Sequence, residues 1–244
     1  MRLRNRVVLV TGGAKRVGRS IALRLAERGA SIVISYRASV REALETIELI
    51  ERAGGRGIAF PADLSSAPDT KRLIDRIGRR LGRLDVLVNS AASFDRTPFD
   101  QLTERQWDAA LDANLKGPFL CSLHASRLMR RPGGGKIINI ADWAGVRPYR
   151  HYLPYCVSKA GVIALTKALA IELAPTIQVN AVAPGPILPP ADMSAVQRRR
   201  IARRVPLRRW GSPEDIANAV LFLIEGTDFM TGSTIFVDGG QLIA

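Results

Sequence analysis

The strongest constraint on the fold is a regular alternation between short apolar runs and longer segments with helical periodicity. The short runs are rich in valine and isoleucine and predict seven strands, at 7–10, 31–35, 57–60, 85–88, 136–140, 177–182 and 234–237. The longer segments predict helices at 18–28, 40–53, 68–81, 103–130, 155–173 and 213–224. Strands that are apolar on both faces and joined by helices belong to parallel sheets covered on both sides. We therefore predict an α/β fold, a doubly wound three-layer sandwich around a seven-stranded parallel sheet.

Length and composition exclude several classes of protein. The chain has 244 residues, 47% hydrophobic and 24% charged, so we expect one globular domain over 1–244 rather than a disordered or fibrous chain. No apolar run approaches the roughly 18 residues that cross a bilayer, and the first apolar run is too short for a signal peptide. Cys121 and Cys156 are too few for a disulfide framework or a metal site of their own, so we expect a cytoplasmic protein without a metal.

The charge is strongly basic and unevenly distributed. Lys and Arg number 36 against 22 Asp and Glu, which gives +14, and the segment 193–211 contains no acid. Its arginines are Arg198, Arg199, Arg200, Arg203, Arg204, Arg208 and Arg209. Such a run is typical of a solvated helix face. The alternative is a docking surface for an acidic substrate, an acidic carrier protein or nucleic acid.

A glycine-rich turn, TGGAKRVG at 11–18, lies between the first predicted strand and the first predicted helix. Glycines such as Gly12 and Gly18 let the backbone approach a phosphate, and the free N–H groups of a helix start bind anions. The strand–turn–helix context predicts a dinucleotide pyrophosphate here, beside Lys15, Arg16 and Val17. A tight turn without a ligand is the alternative.

The second predicted strand ends in SYRAS, at 35–39. NAD-binding proteins usually carry an acid at this place for the ribose hydroxyls, whereas a cation accommodates a 2′-phosphate. Arg37, with Ser39 close by, therefore predicts NADPH (NADP) rather than NADH as the cofactor. The alternative is that Arg37 and Arg16 are only surface charges.

Tyr155 and Lys159 stand four residues apart on a predicted helix and hence on one face of it. A nearby ammonium stabilises a phenolate, so we expect Lys159 to lower the pKa of Tyr155 and fit it for proton transfer. Asp142 leaves the end of the fifth strand, where open parallel sheets bind ligands, and we expect it to meet Tyr155. Asn114 is a candidate to complete the group, or an amide bonded within its helix.

Together these motifs resemble those of the short-chain dehydrogenase/reductase family. The matching segments span essentially the whole chain: TGGAKRVG at 11–18, VNSAA at 88–92, Asn114, Tyr155 with Lys159, APG at 183–185 and VDGG at 237–240. The resemblance implies a Rossmann-type fold and hydride transfer from a nicotinamide cofactor. It also implies Tyr155 as general acid, Lys159 as its pKa modulator and ribose ligand, and Asn114 as support for a water-linked proton path.

The resemblance implies further contacts and an assembly. The additional cofactor contacts would be Asp63 and Leu64 at the adenine, Asn89 and Ala91 along the cofactor, and Pro184, Gly185 and the Ile187 backbone at the nicotinamide end. The segment at about 184–211 would enclose the substrate. Pairing through the two long helices implies a homodimer or, more often, a homotetramer.

The chain departs from the family pattern at three places, and the departures at Arg16 and Asp142 resemble the pteridine reductase branch of the family. Arg16 replaces the usual middle glycine of the phosphate loop, Asp142 replaces the usual catalytic serine, and Pro189 stands near the place of a missing threonine. In that branch an aromatic residue matching Phe94 stacks the pterin, and Arg16 would lie near both pterin and phosphates. Phe94 as a core-filling loop residue is the alternative, and Ala92 departs from this branch, which more often has a hydroxyl there.

An ionised Asp142 cannot donate a hydrogen bond to a carbonyl oxygen that gains negative charge. A protonated Asp142, or one that relays protons through Tyr155, suits the reduction of a C=N bond. We therefore predict an NADPH-dependent reductase whose substrate is a dihydropterin-like ring or a small carbonyl compound. The alternatives are a 3-oxoacyl-carrier-protein reductase and, from another class, a non-catalytic nucleotide-sensing or nucleic-acid-binding protein.

Overall fold

The computed structural model describes residues 1–130, 133–190 and 193–244. Within these residues seven parallel strands form one sheet in the order β3-β2-β1-β4-β5-β6-β7. The strands are β1 Val7–Thr11, β2 Ser31–Tyr36, β3 Arg56–Pro61, β4 Val86–Asn89, β5 Gly135–Ile140, β6 Ile177–Pro184 and β7 Thr234–Val237. The predicted seven-stranded parallel sheet is confirmed. The strand order reverses between β1 and β4, and a crevice at such a reversal is where doubly wound sheets bind ligands.

Helices cover both faces of the sheet. They are α1 Arg16–Ala26, α2 Val40–Arg52, α3 Ala67–Leu81, α4 Glu104–Leu111, α5 Gly117–Met129, α6 Leu153–Leu173, α7 Ala195–Arg204 and α8 Pro213–Leu221. One core joins α1, α2 and α8 to strand side chains such as Val8 and Val10. The other joins α3, α5 and α6 to the alternate side chains, such as Val7 and Leu9. Because both faces of the strands are buried, their runs are continuously apolar.

The predicted single helix at 103–130 is wrong in its middle. A π-helical turn, Asp112–Lys116, separates α4 from α5. A second π-helical turn, Phe222–Gly226, follows α8, so that helix ends before 224. The chain has regular helical periodicity through both turns, which is why the sequence predicted continuous helices. Single π turns in helices are frequently found at functional sites.

The segment between β6 and α8 contains the Arg-rich helix α7. Ser194 caps it, because its side chain accepts the backbone N–H of Gln197 while the Gln197 side chain accepts the N–H of Ser194. Trp210 Nε1 donates to the carbonyl of Arg198 at 3.0 Å and ties α7 to the following loop. The arginines of α7 are exposed, as the prediction of a solvated helix face required.

A search of 1–130, 133–190 and 193–244 finds no helix with both the length and the apolar character needed to cross a membrane.

Candidate active site

The loops that follow β1 and β4 are joined directly. Thr11 Oγ1 accepts the backbone N–H of Ser90 at 3.0 Å and that of Ala91 at 3.1 Å. Gly12 lies against Ala91 with a φ of 64°, and a Cβ at Gly12 would come within 2.8 Å of the Ala91 Cα. Asn89 is buried at the end of β4 and donates to Asn139 Oδ1 at 2.8 Å. Of the predicted cofactor residues, Gly12 and Ala91 are therefore in contact where β1 and β4 end, whereas the Asn89 side chain is buried against β5.

The glycine-rich turn leads into α1 with open backbone donors. Lys15 is the N-cap residue and its side chain forms no cap bond, so this side chain does not occupy the first N–H groups of α1, which at a helix start can bind an anion. A Cβ at Gly18 would come within 2.3 Å of the Gly12 carbonyl oxygen, so only glycine fits. Arg16 is exposed and has a φ of 54°, the left-handed region that glycine usually occupies. This geometry fits a dinucleotide pyrophosphate.

The adenosine end of the crevice is cationic and open. Arg37 is exposed beyond β2, and Ser39 is the N-cap residue of α2. Asp63 follows β3, and its carboxylate accepts from Ser65 Oγ at 2.6 Å and from Ser65 N at 3.0 Å. The Ser65 hydroxyl holds the pKa of Asp63 below its usual value. Leu64 is partly buried beside it. The structure thus places the Arg37 cation at the end of β2, near enough to Asp63 for its charge to help lower the pKa of that carboxyl group.

At the other half of the crevice, Tyr155 and Asp142 are in direct contact. The Tyr155 hydroxyl donates to Asp142 Oδ2 at 2.7 Å, while Asp142 Oδ1 accepts the backbone N–H of Ala144 at 2.8 Å. Asp142 takes this position because it follows β5 and caps the short 3₁₀ turn Trp143–Gly145. Tyr155 lies in the first turn of α6 and is only 8% exposed. The structure thus brings together the two residues that the sequence placed at one strand end.

Burial shifts the pKa of each of these groups. The pKa of Asp142 is raised because burial disfavours its charge, although the hydrogen bonds from Ala144 and Tyr155 partly oppose this. The pKa of Tyr155 is raised well above its usual value, first by burial and then by the negative charge of Asp142. The expectation that Lys159 lowers the pKa of Tyr155 is therefore wrong for this structure. Burial and the Asp142 carboxylate set the direction of this shift.

Lys159 lies on the same face of α6 but is directed to the sheet. It is 3% exposed, its Nζ donates to the carbonyl of Ile140 at 2.7 Å, and it lies 5.7 Å from the centre of the Tyr155 ring. Burial lowers the pKa of Lys159 to about 8. The group is therefore within about one pH unit of losing its proton at neutral pH, which suits a proton donor or acceptor.

Asn114 lies in the π-helical turn between α4 and α5. Its Oδ1 accepts the N–H of Ser93 at 2.8 Å, and its Nδ2 donates to the Ser93 carbonyl at 3.0 Å and to Ser158 Oγ at 3.2 Å. The π turn aims this amide across the helix surface rather than along it. Asn114 therefore holds the loop that carries Phe94 against α6, a positioning function that the sequence did not indicate.

Four aromatic rings form a cluster beside Tyr155. Phe94 stacks on Tyr152 with ring centres 4.5 Å apart and meets Tyr155 edge-on at 4.7 Å. Tyr149 packs against Tyr152 at 5.3 Å and against Trp143 at 5.7 Å. We call Phe94, Trp143, Tyr149 and Tyr152 the aromatic cluster. Sequence reasoning singled out Phe94 but missed Tyr149 and Tyr152. The spacing of Tyr152 three residues before Tyr155 was the signal that would have revealed it.

The nicotinamide end implied by the family resemblance lies after β6. Pro184 ends this strand, and Gly185 N donates to the Val237 carbonyl at 3.0 Å. A Cβ at Gly185 would come within 2.6 Å of the Asp238 Cα. The ends of β6 and β7 can therefore lie this close together only because residue 185 is glycine. Ile187 is 8% exposed and borders a cavity of about 490 Å³ that also contacts Val205 and Leu207. Pro189 is half-buried in the same loop.

No group of three His, Cys, Asp or Glu side chains within 1–130, 133–190 and 193–244 forms a metal site.

Comparison with known proteins identifies the family. Residues 12–241 match the family model described as Enoyl-(Acyl carrier protein) reductase. The chain is 39% identical over 239 residues to the 3-oxoacyl-[acyl-carrier-protein] reductase FabG of Staphylococcus aureus, covering 96% of each chain. It is 36% identical over 247 residues to the (2S)-[(R)-hydroxy(phenyl)methyl]succinyl-CoA dehydrogenase subunit BbsD of Thauera aromatica, covering 99% of this chain and 98% of that one.

Solved structures of similar proteins agree with these sequence comparisons. Acetoin dehydrogenase YohF from Salmonella typhimurium superposes with a TM-score of 0.90 at 36% identity, covering 98% of this chain and 97% of that one. A 7α-hydroxysteroid dehydrogenase in complex with NADH and 7-oxo glycochenodeoxycholic acid superposes with a TM-score of 0.93 at 31% identity. The superposition covers 98% of this chain and 95% of that one. None of these comparisons supports a nucleic-acid-binding protein. The chain is an oxidoreductase that belongs to the short-chain dehydrogenase/reductase family.

Proposed function

We propose that the protein is an NADPH-dependent reductase that acts on the C=N bond of a flat, dihydropterin-like ring. The observation that carries this proposal is the 2.7 Å hydrogen bond from Tyr155 to Asp142 inside the aromatic cluster. A family member that reduces ketones through a serine would have a neutral hydroxyl in place of this carboxyl group. The sequence resemblance to pteridine reductases rests on the same Asp142 together with Arg16 and Phe94.

Bound NADPH would supply the hydride. Gly12, Gly18 and the open N–H groups of α1 would hold its pyrophosphate, with Lys15 and Arg16 beside them. Arg37 and Ser39 would hold the 2′-phosphate. Further contacts would come from Val17, Asp63, Leu64, Asn89, Ala91, Lys159, Pro184, Gly185 and Ile187. Exposed guanidinium groups suit phosphate, because they are always charged and donate several N–H groups in one plane.

Tyr155 and Asp142 would manage the proton. When a carbon accepts the hydride, the nitrogen bonded to it must accept a proton, and the Tyr155 hydroxyl is the proposed donor. A protonated Asp142 would return a proton to Tyr155 or donate one itself, and burial raises the pKa of Asp142 in the direction of that form. Lys159 and Asn114 complete the proposed group, Lys159 through its readily lost proton and Asn114 by fixing the Phe94 loop.

The aromatic cluster would bind the substrate ring. Phe94 is 47% exposed, so part of its surface is open to a ligand. Aromatic rings bind flat heterocycles by offset stacking, which is worth about 0.5–1.5 kcal/mol for each pair. The cluster would also exclude water from Tyr155, and a site without water strengthens the electrostatic effect of each fixed dipole. Arg16 and Asp142 are the proposed polar contacts of the ring.

A 3-oxoacyl thioester is the second candidate substrate, and one observation favours it. Five exposed arginines lie on α7, next to the segment that would enclose the substrate. A cationic surface of this kind suits an acidic carrier. The FabG relatives support the same reaction. Asp142 opposes it, because it replaces the serine hydroxyl that donates to a ketone oxygen, and its Oδ2 already accepts from the Tyr155 hydroxyl.

We further propose a homotetramer. Exposed apolar side chains lie on the outer faces of α5 and α6, where Phe119, Val157 and Ile171 face solvent. A second exposed group, Phe229 and Ile243, lies near the edge strand β7. Two separate apolar surfaces allow two kinds of subunit contact, as dihedral tetramers require. Light scattering of the purified protein would give the mass of four chains. Both cysteines are free and buried, which fits the proposed cytoplasmic location.

The decisive experiment follows NADPH absorbance with dihydrobiopterin, quinonoid dihydropterins, an acetoacetyl thioester and simple diketones. We expect kcat/KM for at least one pterin to exceed that for the thioester by tenfold or more. A higher value for the thioester would replace the proposal with the second candidate. No oxidation of NADPH or NADH with any member of the panel would contradict both.

A further inference from the structure

A cavity of about 360 Å³ opens beside the adenosine end of the crevice. Arg37, from the end of β2, lines one part of it, and residues 61–63, from the end of β3, line another. The remaining wall belongs to α3, with Asp69, Arg72, Leu73 and Arg76. Neither the phosphate loop nor the aromatic cluster contributes to this cavity. Three arginines and two aspartates thus line one open cavity beside the proposed adenosine end of the cofactor.

The charges of this cavity do not balance locally. Arg72 forms an ion pair with Asp69, whose other oxygen accepts the N–H of Asp63 at 3.4 Å. Asp63 itself is occupied by Ser65, as described above. The Arg76 guanidinium instead lies 4.3 Å from the centre of the buried Phe60 ring. In the part of the chain that the structure describes, no ion pair joins Arg37 or Arg76 to a carboxylate. Arg37 is close enough to Asp63 for its charge to help lower the pKa of that carboxyl group, but it forms no ion pair with it, so both guanidinium groups keep N–H donors for a ligand.

We propose that Arg76 binds the 2′-phosphate of NADP(H) together with Arg37, from the opposite side of this cavity. The inference rests on the proposed preference for NADPH and extends it to a residue of α3. A guanidinium held over an aromatic face is preorganised and keeps N–H donors for a phosphate. Charge-assisted hydrogen bonds of this kind are among the strong ones in proteins. Phe60 thus acts as the platform that holds Arg76 ready.

The test measures binding of 2′,5′-ADP and of 5′-AMP by titration calorimetry, because the two ligands differ in the 2′-phosphate alone. The variants are Arg37→Gln, Arg76→Gln and the double variant. Arg79→Gln is the matched control, since Arg79 is exposed on α3 but does not line the cavity. We expect each single cavity variant to raise the Kd of 2′,5′-ADP about tenfold and the double variant to raise it about a hundredfold. The Kd of 5′-AMP should stay within about twofold of the wild-type value in all three cavity variants. In Arg79→Gln the Kd of both ligands should stay within the same limit.

The outcomes separate this inference from the proposed function. If Arg37→Gln weakens 2′,5′-ADP and Arg76→Gln behaves like the control, Arg76 is not a ligand, whereas the NADPH preference stands. If wild type binds the two ligands equally, the NADPH preference is wrong and this inference with it. Arg76→Lys keeps the charge and should restore most of the affinity. An equal loss for both ligands with Arg76→Gln, together with a lower melting temperature, would show that Arg76 only supports Phe60.

Discussion

The two halves of the crevice use charge in opposite ways. At the nucleotide half, Lys15, Arg16 and Arg37 are exposed on loops. At the proton-transfer half, Tyr155 and Lys159 are buried, and each is fixed by a hydrogen bond to a neighbour. The exposed cations retain their hydration and are screened by salt, whereas the buried groups have lost water and carry shifted pKa values.

In the proposed function, this difference would allow one crevice to bind a large anion and also transfer a proton. Exposed cations contribute to affinity in moderate, separable amounts. Buried groups contribute to rate and pH dependence, and they do so as a unit because Asp142 and Tyr155 share one hydrogen bond. Substitutions in the two halves should therefore give two different kinds of result.

The largest effect is expected from Tyr155→Phe. The variant lacks the hydroxyl proposed as the proton donor, and removal of a general acid costs about 10²–10⁴ in rate. We expect kcat to fall by that factor while the Kd of NADPH stays within about threefold. Turnover and fluorescence titration measure the two quantities. A comparable loss of NADPH affinity would show that Tyr155 supports the cofactor half as well, and the distinction between the halves would fail.

Arg37→Asp should reverse the choice of cofactor. The substituted carboxylate repels a 2′-phosphate and accepts hydrogen bonds from ribose hydroxyls. We expect the ratio of kcat/KM for NADPH to that for NADH to fall by about a hundredfold, with kcat nearly unchanged. Raising the salt concentration should weaken the binding of NADPH by the wild type more than its binding of NADH, because exposed charges are screened. An unchanged ratio would remove Arg37 from the nucleotide half.

Lys159→Met probes the energetic cost of the buried half. Burial lowers the pKa of Lys159 from 10.5 to about 8, so the unfolded chain holds the proton more tightly than the folded one. Below pH 8 the folded protein must bury a charge, and this penalty disappears as the pH rises from about 8 to 10.5. We expect the variant to be about 1–3 kcal/mol more stable than wild type at pH 7, with the difference shrinking above pH 8.

Urea unfolding of both proteins between pH 7 and pH 10 measures this difference. A constant difference across the range would mean that Lys159 is not desolvated in the folded protein. Activity should be lost in the variant at every pH.

The smallest effect is expected at Arg16. Its left-handed backbone costs about 1 kcal/mol in any residue with a Cβ. Arg16→Gly should therefore be about 1 kcal/mol more stable to urea than Arg16→Ala, although both lose the same charge. Equal stability of the two variants would mean that the loop relaxes.

The fold was predictable because its signal is local and repeated. Each strand is a continuous apolar run, as burial on both faces demands, and every observed strand overlaps a predicted one. The site was predictable in outline because parallel strands place their carboxyl ends at one edge of the sheet. Asp142 and Tyr155 therefore meet, as their positions after β5 and at the start of α6 required.

What failed depends on tertiary packing. The π turn Asp112–Lys116 has the apolar periodicity of an α-helix, and its geometry follows from the contacts that Asn114 makes with Ser93 and Ser158. The predicted direction of the Tyr155 pKa shift was wrong. A sequence gives the spacing between Tyr155 and Lys159 along a helix, but it does not give the desolvation of the Tyr155 hydroxyl. The sequence also did not predict the ring contacts of Phe94 with Tyr149 and Tyr152, because these two tyrosines belong to a different loop.

The central claim is that the carboxyl group of Asp142 fits the site for a C=N substrate. Asp142→Ser tests it most directly, through the ratio of kcat/KM for a dihydropterin to kcat/KM for an acetoacetyl thioester. We predict that this ratio falls by at least tenfold, because serine can donate to a ketone oxygen but cannot return a proton to Tyr155 as a carboxyl group can. Equal losses on both substrates would contradict the claim.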